Sequence, residues 1–69
     1  MEKQVWNTLA FNNIGTHKMR FKNKLTLNEA IELGRRYCKN NNMTYVNTYE
    51  DYEIDEQEKD LRTKLNKKD

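Results

Sequence analysis

Thr26-Leu27-Asn28-Glu29-Ala30-Ile31-Glu32-Leu33-Gly34-Arg35-Arg36-Tyr37-Cys38-Lys39-Asn40 decides the fold of this chain. Thr26 and Glu29 stand three apart, the spacing of a capping box in which each side chain satisfies the other's backbone N–H. Leu27, Ala30, Ile31, Gly34 and Cys38 then recur at i, i+3, i+4, i+7 and i+11, one stripe of an α-helix. Leu33 and Tyr37 widen the stripe. Arg35, Arg36 and Lys39 lie near the C-terminal end, where cations suit the helix dipole. Asn40-Asn41-Asn42 supplies residues able to take the left-handed C-cap conformation. The spacing predicts a helix over 27–40.

On the N-terminal side of this helix, residues 18–25 alternate. Met19, Phe21 and Leu25 take one side, and Lys18, Arg20, Lys22 and Lys24 take the other. Such alternation predicts an antiparallel strand with one face toward a core. Residues 4–11, Gln-Val-Trp-Asn-Thr-Leu-Ala-Phe, read as a second strand, apolar in part on both faces. Asn12-Asn13-Ile14-Gly15-Thr16 between them is a turn, since Asn and Gly tolerate positive φ. The two strands are expected to pair as a hairpin across a six-residue connection. Helix 27–40 is expected to pack on Met19, Phe21 and Leu25, so that Leu27→Asp or Phe21→Asp unfolds the domain.

On the C-terminal side, Met43-Thr44-Tyr45-Val46-Asn47-Thr48-Tyr49 is rich in β-branched and aromatic residues and reads as a third strand. A helical crossover from strand 18–25 allows it a parallel pairing. Tyr45 and Tyr49 share one face of this strand, with Tyr52 opposite. The last helix has two candidate starts. Thr48-Tyr49-Glu50-Asp51 resembles a capping sequence, but a start after Asp55 is preferred, with Ile54, Glu58, Leu61 and Leu65 forming a thin face. The fold expected is therefore α+β in the order ββαβα, a small two-layer domain with a short charged C-terminal helix. One domain spans residues 1–65, and 66–69 are expected to fray.

Composition excludes several classes of function. The chain has 69 residues, 35% hydrophobic and 35% charged, with one Cys and one His. A domain of this size buries only about 60% of the surface its chain exposes, which leaves little scaffold for a large cleft. A single Cys38 permits no internal disulfide, and with His17 alone beside it no Cys/His zinc site forms. No apolar run approaches a membrane span or a secretory signal, so a cytoplasmic location without membrane association is expected. No cofactor is implied. His17 and Cys38 lack an orienting third residue, and a thiol on an apolar helix stripe is ordinarily inert packing, so the chain is not expected to be an enzyme. Asn and Lys richness points to an A/T-rich genome, such as that of a Gram-positive bacterium or its phage.

Net charge is only +2, but its distribution is uneven. Lys18, Arg20, Lys22 and Lys24 form a basic row able to track a phosphate backbone, with Arg35 and Arg36 extending it. The simpler reading is a solvated strand whose lysines discourage edge pairing. Residues 50–60 hold seven acids and one Lys. Glu50, Asp51, Glu53, Asp55 and Glu56, with Tyr49 and Tyr52 among them, could contact a basic partner. Helix-start electrostatics is the simpler account of these acids, and core packing that of the tyrosines. A calcium loop fits poorly, since Asp51, Glu53 and Asp55 are followed by Glu56 and Arg62 where Gly and Glu belong.

Leu25–Leu33 resembles the first helix of excisionase-type helix-turn-helix proteins. No recognition helix follows at the required three- or four-residue turn, so no function is carried across. By elimination, the reading is a small non-catalytic module that binds a host protein, of the kind a phage or mobile element uses to inhibit or redirect its target by covering a surface. The alternatives are a nucleic-acid-binding regulator using the basic strand and a homo-oligomeric accessory protein, with a homodimer as its simplest form.

Overall fold

The computed structural model describes residues 2–66. Five elements follow in order: β1 (Trp6–Phe11), β2 (Thr16–Arg20), α1 (Leu27–Asn40), β3 (Thr44–Glu50) and α2 (Asp51–Asn66). The expected ββαβα order is the observed one. Residue 66 belongs to α2, and the rest of the tail expected to fray, 67–69, lies outside the described residues.

The three strands form one sheet in the order β2-β1-β3, and both pairings are antiparallel. This corrects the parallel pairing expected of the third strand. β3 does run in the direction of β2, but β1 lies between them and α1 carries the chain across it. The hairpin connection is four residues rather than six. Asn12 and Gly15 exchange backbone hydrogen bonds of 3.0 and 3.2 Å. The Asn12 Oδ1 also accepts from the N–H groups of Ile14 (2.9 Å) and Gly15 (3.2 Å) and lies 3.0 Å from His17 Nε2.

β2 is shorter than the alternation suggested. Phe21 N–H still donates to Trp6 C=O at 3.0 Å, and Gln4 and Leu25 then exchange backbone bonds of 2.9 and 2.8 Å. Between these bonds one residue, Val5, lies opposite three, so Lys22, Asn23 and Lys24 bend outward. Trp6 Nε1 donates to Leu25 C=O at 3.0 Å and fastens the returning chain.

Helix α1 forms as expected. Glu29 N–H donates to Thr26 Oγ1 at 3.2 Å and Thr26 N–H donates to Glu29 Oε1 at 2.9 Å, the reciprocal box. At the other end Asn42 takes φ +57°, and Met43 N–H donates to Cys38 C=O at 2.9 Å. That is the Schellman arrangement, with Asn in the place glycine usually takes. The buried stripe is Ala30, Gly34 and Cys38, all small. Small residues bring α1 close to the sheet, and it rests on β1 and β3 rather than on β2. Leu27, at 45% exposure, and Leu33 therefore lie at the margin. Phe21 is only half-buried. The core belongs instead to Leu9, Ala10, Ala30, Cys38 and Ile54.

Helix α2 starts at Asp51, directly after β3, and not after Asp55. With 16 residues it is longer than α1. The side turned to the sheet carries Asp51, Ile54, Asp55, Glu58 and Leu61 at helical spacing, three of the five acidic. Hydrophobic periodicity alone therefore placed its start too late. α2 covers the side of the sheet bearing Asn7 and Leu9, whereas α1 covers the side bearing Thr8 and Ala10. The two helices do not touch among the described residues. The sheet is thus a middle layer between two helices, one layer more than expected.

A bulge in β3 separates the tyrosines. Leu9 pairs with Asn47 and Ala10 with Tyr45, which leaves Val46 as the extra residue. An extra residue reverses the alternation. Tyr45 accordingly faces the α1 side, where its hydroxyl shares a 2.7 Å hydrogen bond with Thr48 Oγ1. Tyr49 lies on the α2 side beside Leu9, Val46 and Leu61. Their expected common face does not exist.

Candidate functional site

The basic row and the acidic run meet each other. Lys18 pairs with Asp55 and, at 3.7 Å, with Glu58. Arg20 Nε lies 3.1 Å from Asp51 Oδ1, with its Nη2 3.2 Å from Oδ2. Arg62 reaches Glu58 at 3.2 Å, and Thr16 Oγ1 donates to the same carboxylate at 3.1 Å. Strand alternation puts Thr16, Lys18 and Arg20 on one side of β2. Helical spacing puts Asp51, Asp55 and Glu58 on one side of α2. Two features read separately as rival binding surfaces therefore neutralise one another across the surface seam between β2 and α2.

Asp51 is the best-tied of these groups. The Arg20 guanidinium, and after it the Asn7 side-chain amide (2.8 Å), hold its carboxyl below the usual carboxylate range. A carboxyl depressed in the folded state contributes stability above its unfolded pKa, and that contribution is lost as pH falls through the folded value. The unfolded value is about 3.9. Thermal melts of native protein are expected to drop in midpoint as pH falls below about 4. Asp51→Asn is expected to melt lower at neutral pH but to lose less on acidification, so the two curves converge in acid. Parallel curves would contradict this role for Asp51.

The other candidate cations are scattered. Lys22 and Lys24 sit in the bend after β2, and Arg35 and Arg36 lie on the exposed face of α1. The expected continuous row of cations is not formed. Trp6 alternates with Thr8 and Ala10 and so lies on the opposite face of the sheet from Lys18 and Arg20.

The acids also divide by direction. Asp51 and Asp55 turn toward β2, and Tyr49 is half-buried beneath α2. Glu50, Glu53 and Glu56 make no ion pair among the described residues. They surround Tyr52, whose side chain is 77% exposed. The carboxylates of Glu50 and then Glu53 raise the Tyr52 phenol above its ordinary pKa. This subset of the predicted residues forms one surface: an aromatic side chain in an uncompensated negative field.

His17 and Cys38 border one cavity of about 130 Å³, together with Met19, Tyr37 and Met43. Burial pushes the Cys38 thiol up from its ordinary pKa, the opposite of what a nucleophilic thiolate needs. His17 is tied to Asn12 instead. Glu58 was not among the residues expected to contact a partner, yet it is the carboxylate shared by Lys18, Arg62 and Thr16. Its i,i+4 spacing predicts the pair with Arg62, which forms, but not the reach to β2.

Residues 51–66 are continuous helix, so the calcium-loop spacing falls on no loop. No helix among the described residues is long and apolar enough to cross a membrane. Compared with models of protein families, with curated proteins and with solved structures, the chain matches none.

Proposed function

We propose that this chain is a non-catalytic protein-binding module that covers part of a host protein, as a phage or mobile-element inhibitor does, and that it makes contact through the outer face of α2. The observation that carries this reading is Tyr52, exposed among Glu50, Glu53 and Glu56 while the neighbouring acids are consumed internally. Tyrosine supplies contact area at low entropic cost and is enriched at interface hot spots. The surrounding charge suits a basic protein surface and repels phosphate. It favours association rate and partner choice more than raw affinity.

The test is capture from a Gram-positive bacterial lysate, with and without nuclease, read by mass spectrometry. Tyr52→Ala and Glu56→Lys are expected to melt as the native protein does, within about 0.5 kcal/mol. They are expected to lose a partner that the native chain retains after nuclease treatment. Equal capture by native and variant protein would remove α2 from the interface. Loss of every partner on nuclease treatment would instead favour nucleic-acid binding. That reading now rests on Arg35, Arg36 and Lys39 beside Tyr45, because Lys18 and Arg20 are engaged. Its signature is affinity that falls linearly with salt on a log–log plot.

A further inference from the structure

The two edges of the sheet are not equivalent. On β3 the alternation of the ladder turns Thr48 N–H outward, and Asn47 Oδ1 accepts it at 2.8 Å. With the bulge at Val46 beside it, this edge is closed to another strand. On β2, Gly15 and Phe21 bond toward β1. By alternation, so do His17 and Met19, and the N–H and C=O groups of Thr16, Lys18 and Arg20 point away from the sheet. Among the helices and strands, β2 touches β1 and α2 but not α1.

Lysine and arginine on an edge strand normally protect it by repulsion. Here that protection is cancelled. Lys18 is matched by Asp55 and Glu58, and Arg20 by Asp51. Within β2 itself the positive charge of the edge is therefore matched, and Lys22 and Lys24, uncompensated among the described residues, lie in the bend beyond it.

We propose that β2 pairs with β2 of a second copy, antiparallel about a two-fold axis at Lys18, to make a continuous six-stranded sheet. The outward residues are symmetric about that position. Thr16 meets Arg20 of the other copy, and Lys18 meets Lys18. Directly opposed residues in such a pair have Cβ atoms about 5 Å apart. Arg20 thus comes opposite the Thr16 hydroxyl and the Glu58 carboxylate to which it donates, giving an attractive contact on each side of the axis. Each Lys18 keeps its own Asp55. On the opposite face, His17 and Met19 meet Met19 and His17 of the second copy. They extend the cavity beside Tyr37 and Cys38 that α1 leaves uncovered. This pairing does not depend on Tyr52, which lies on the outer face of α2.

Sedimentation of the full chain from about 1 μM to about 1 mM is expected to show a shift from one chain mass to two. Over the same range, deuterium exchange at the amides of Thr16, Lys18 and Arg20 is expected to slow by about tenfold or more. Lys18→Pro removes one outward N–H without touching the β1 ladder, a substitution that edge strands tolerate. It is expected to remain monomeric, whereas Lys18→Ala, which loses the same ion pairs but keeps the N–H, still dimerises. If Lys18→Pro fails to fold, the exchange measurement on native protein decides. A chain monomeric throughout the range overturns the proposal and leaves the edge to an extended segment of another protein. A dimer whose three outward amides exchange as fast as in the monomer also overturns it.

Discussion

Leu9→Ala is expected to leave most of the protein unfolded at room temperature. Leu9 is 1% exposed, in the middle strand, beneath α2 and beside Val46, Tyr49 and Leu61. Truncating a buried leucine costs about 2–5 kcal/mol, because the lost transfer energy is joined by the cavity left behind. A core of this size supplies only about 3–5 kcal/mol in total. The loss is comparable to the whole stability, so the far-ultraviolet circular dichroism is expected to show little native helix before heating. Leu27→Ala is the control. Leu27 is 45% exposed, and its truncation is expected to shift the midpoint only slightly. A Leu9→Ala protein that melts cooperatively within a few degrees of native would mean that α2 does not seal a core.

The second large effect belongs to Gly34. A Cβ built there would overlap Thr8 Oγ1 and lie 3.2 Å from Thr8 Cγ2 and 3.3 Å from Thr8 Cβ. Alanine gains about 0.8–1.0 kcal/mol over glycine in helix propensity. Overpacking costs about 1–3 kcal/mol, and the Thr8 Cβ and Cγ2 crowd the new methyl as well as its Oγ1, so Gly34→Ala is expected to destabilise on balance. Thr8 Oγ1 is buried with no hydrogen-bond partner. Thr8→Ala therefore removes a group that is itself unfavourable, and alone it is expected to cost little. In the double variant the methyl group has moved from the strand to the helix, and the remaining Thr8 Cβ distance asks for only a small adjustment. Urea titrations of the four proteins are expected to give a favourable coupling of about 1 kcal/mol or more. Additive effects would show that the helix and strand are not in the close contact described.

These two positions also show what the sequence could and could not reveal. Gly34 was visible as part of the α1 stripe, because capping and periodicity are local and both ends of that helix carry their own signals. That glycine is required by Thr8 depends on which strand lies beneath it, which no local pattern specifies. Phe21 and Leu27 looked like core because each belongs to a clean amphipathic pattern. They lie at the margins because β1, with apolar residues on both faces, takes the centre of the sheet. Lys22 and Lys24 continue the alternation of Lys18 and Arg20 beyond the point where the strand ends, since a bend leaves no break in the polarity pattern. Every charged residue of the site was identifiable. Their partnership was not, because Asp51, Asp55 and Glu58 point inward on a helix whose stripe is expected to be apolar. Acids on the side turned to the sheet become intelligible only when the facing strand is known to be basic.

The middle position of β1 has a consequence for how the molecule is made. β1 is synthesised before either neighbour, yet one of its two partners, β3, lies some forty residues further along the chain. During translation the β1–β2 hairpin emerges with Leu9 bare and with Lys18 and Arg20 uncompensated, since the acids that answer them come from the following helix. Contacts at such separation close slowly. The nascent hairpin is accordingly a cationic, half-apolar ribbon near ribosomal RNA. A translation pause placed before Asp51 would prolong that state and expose the young chain to adhesion and aggregation.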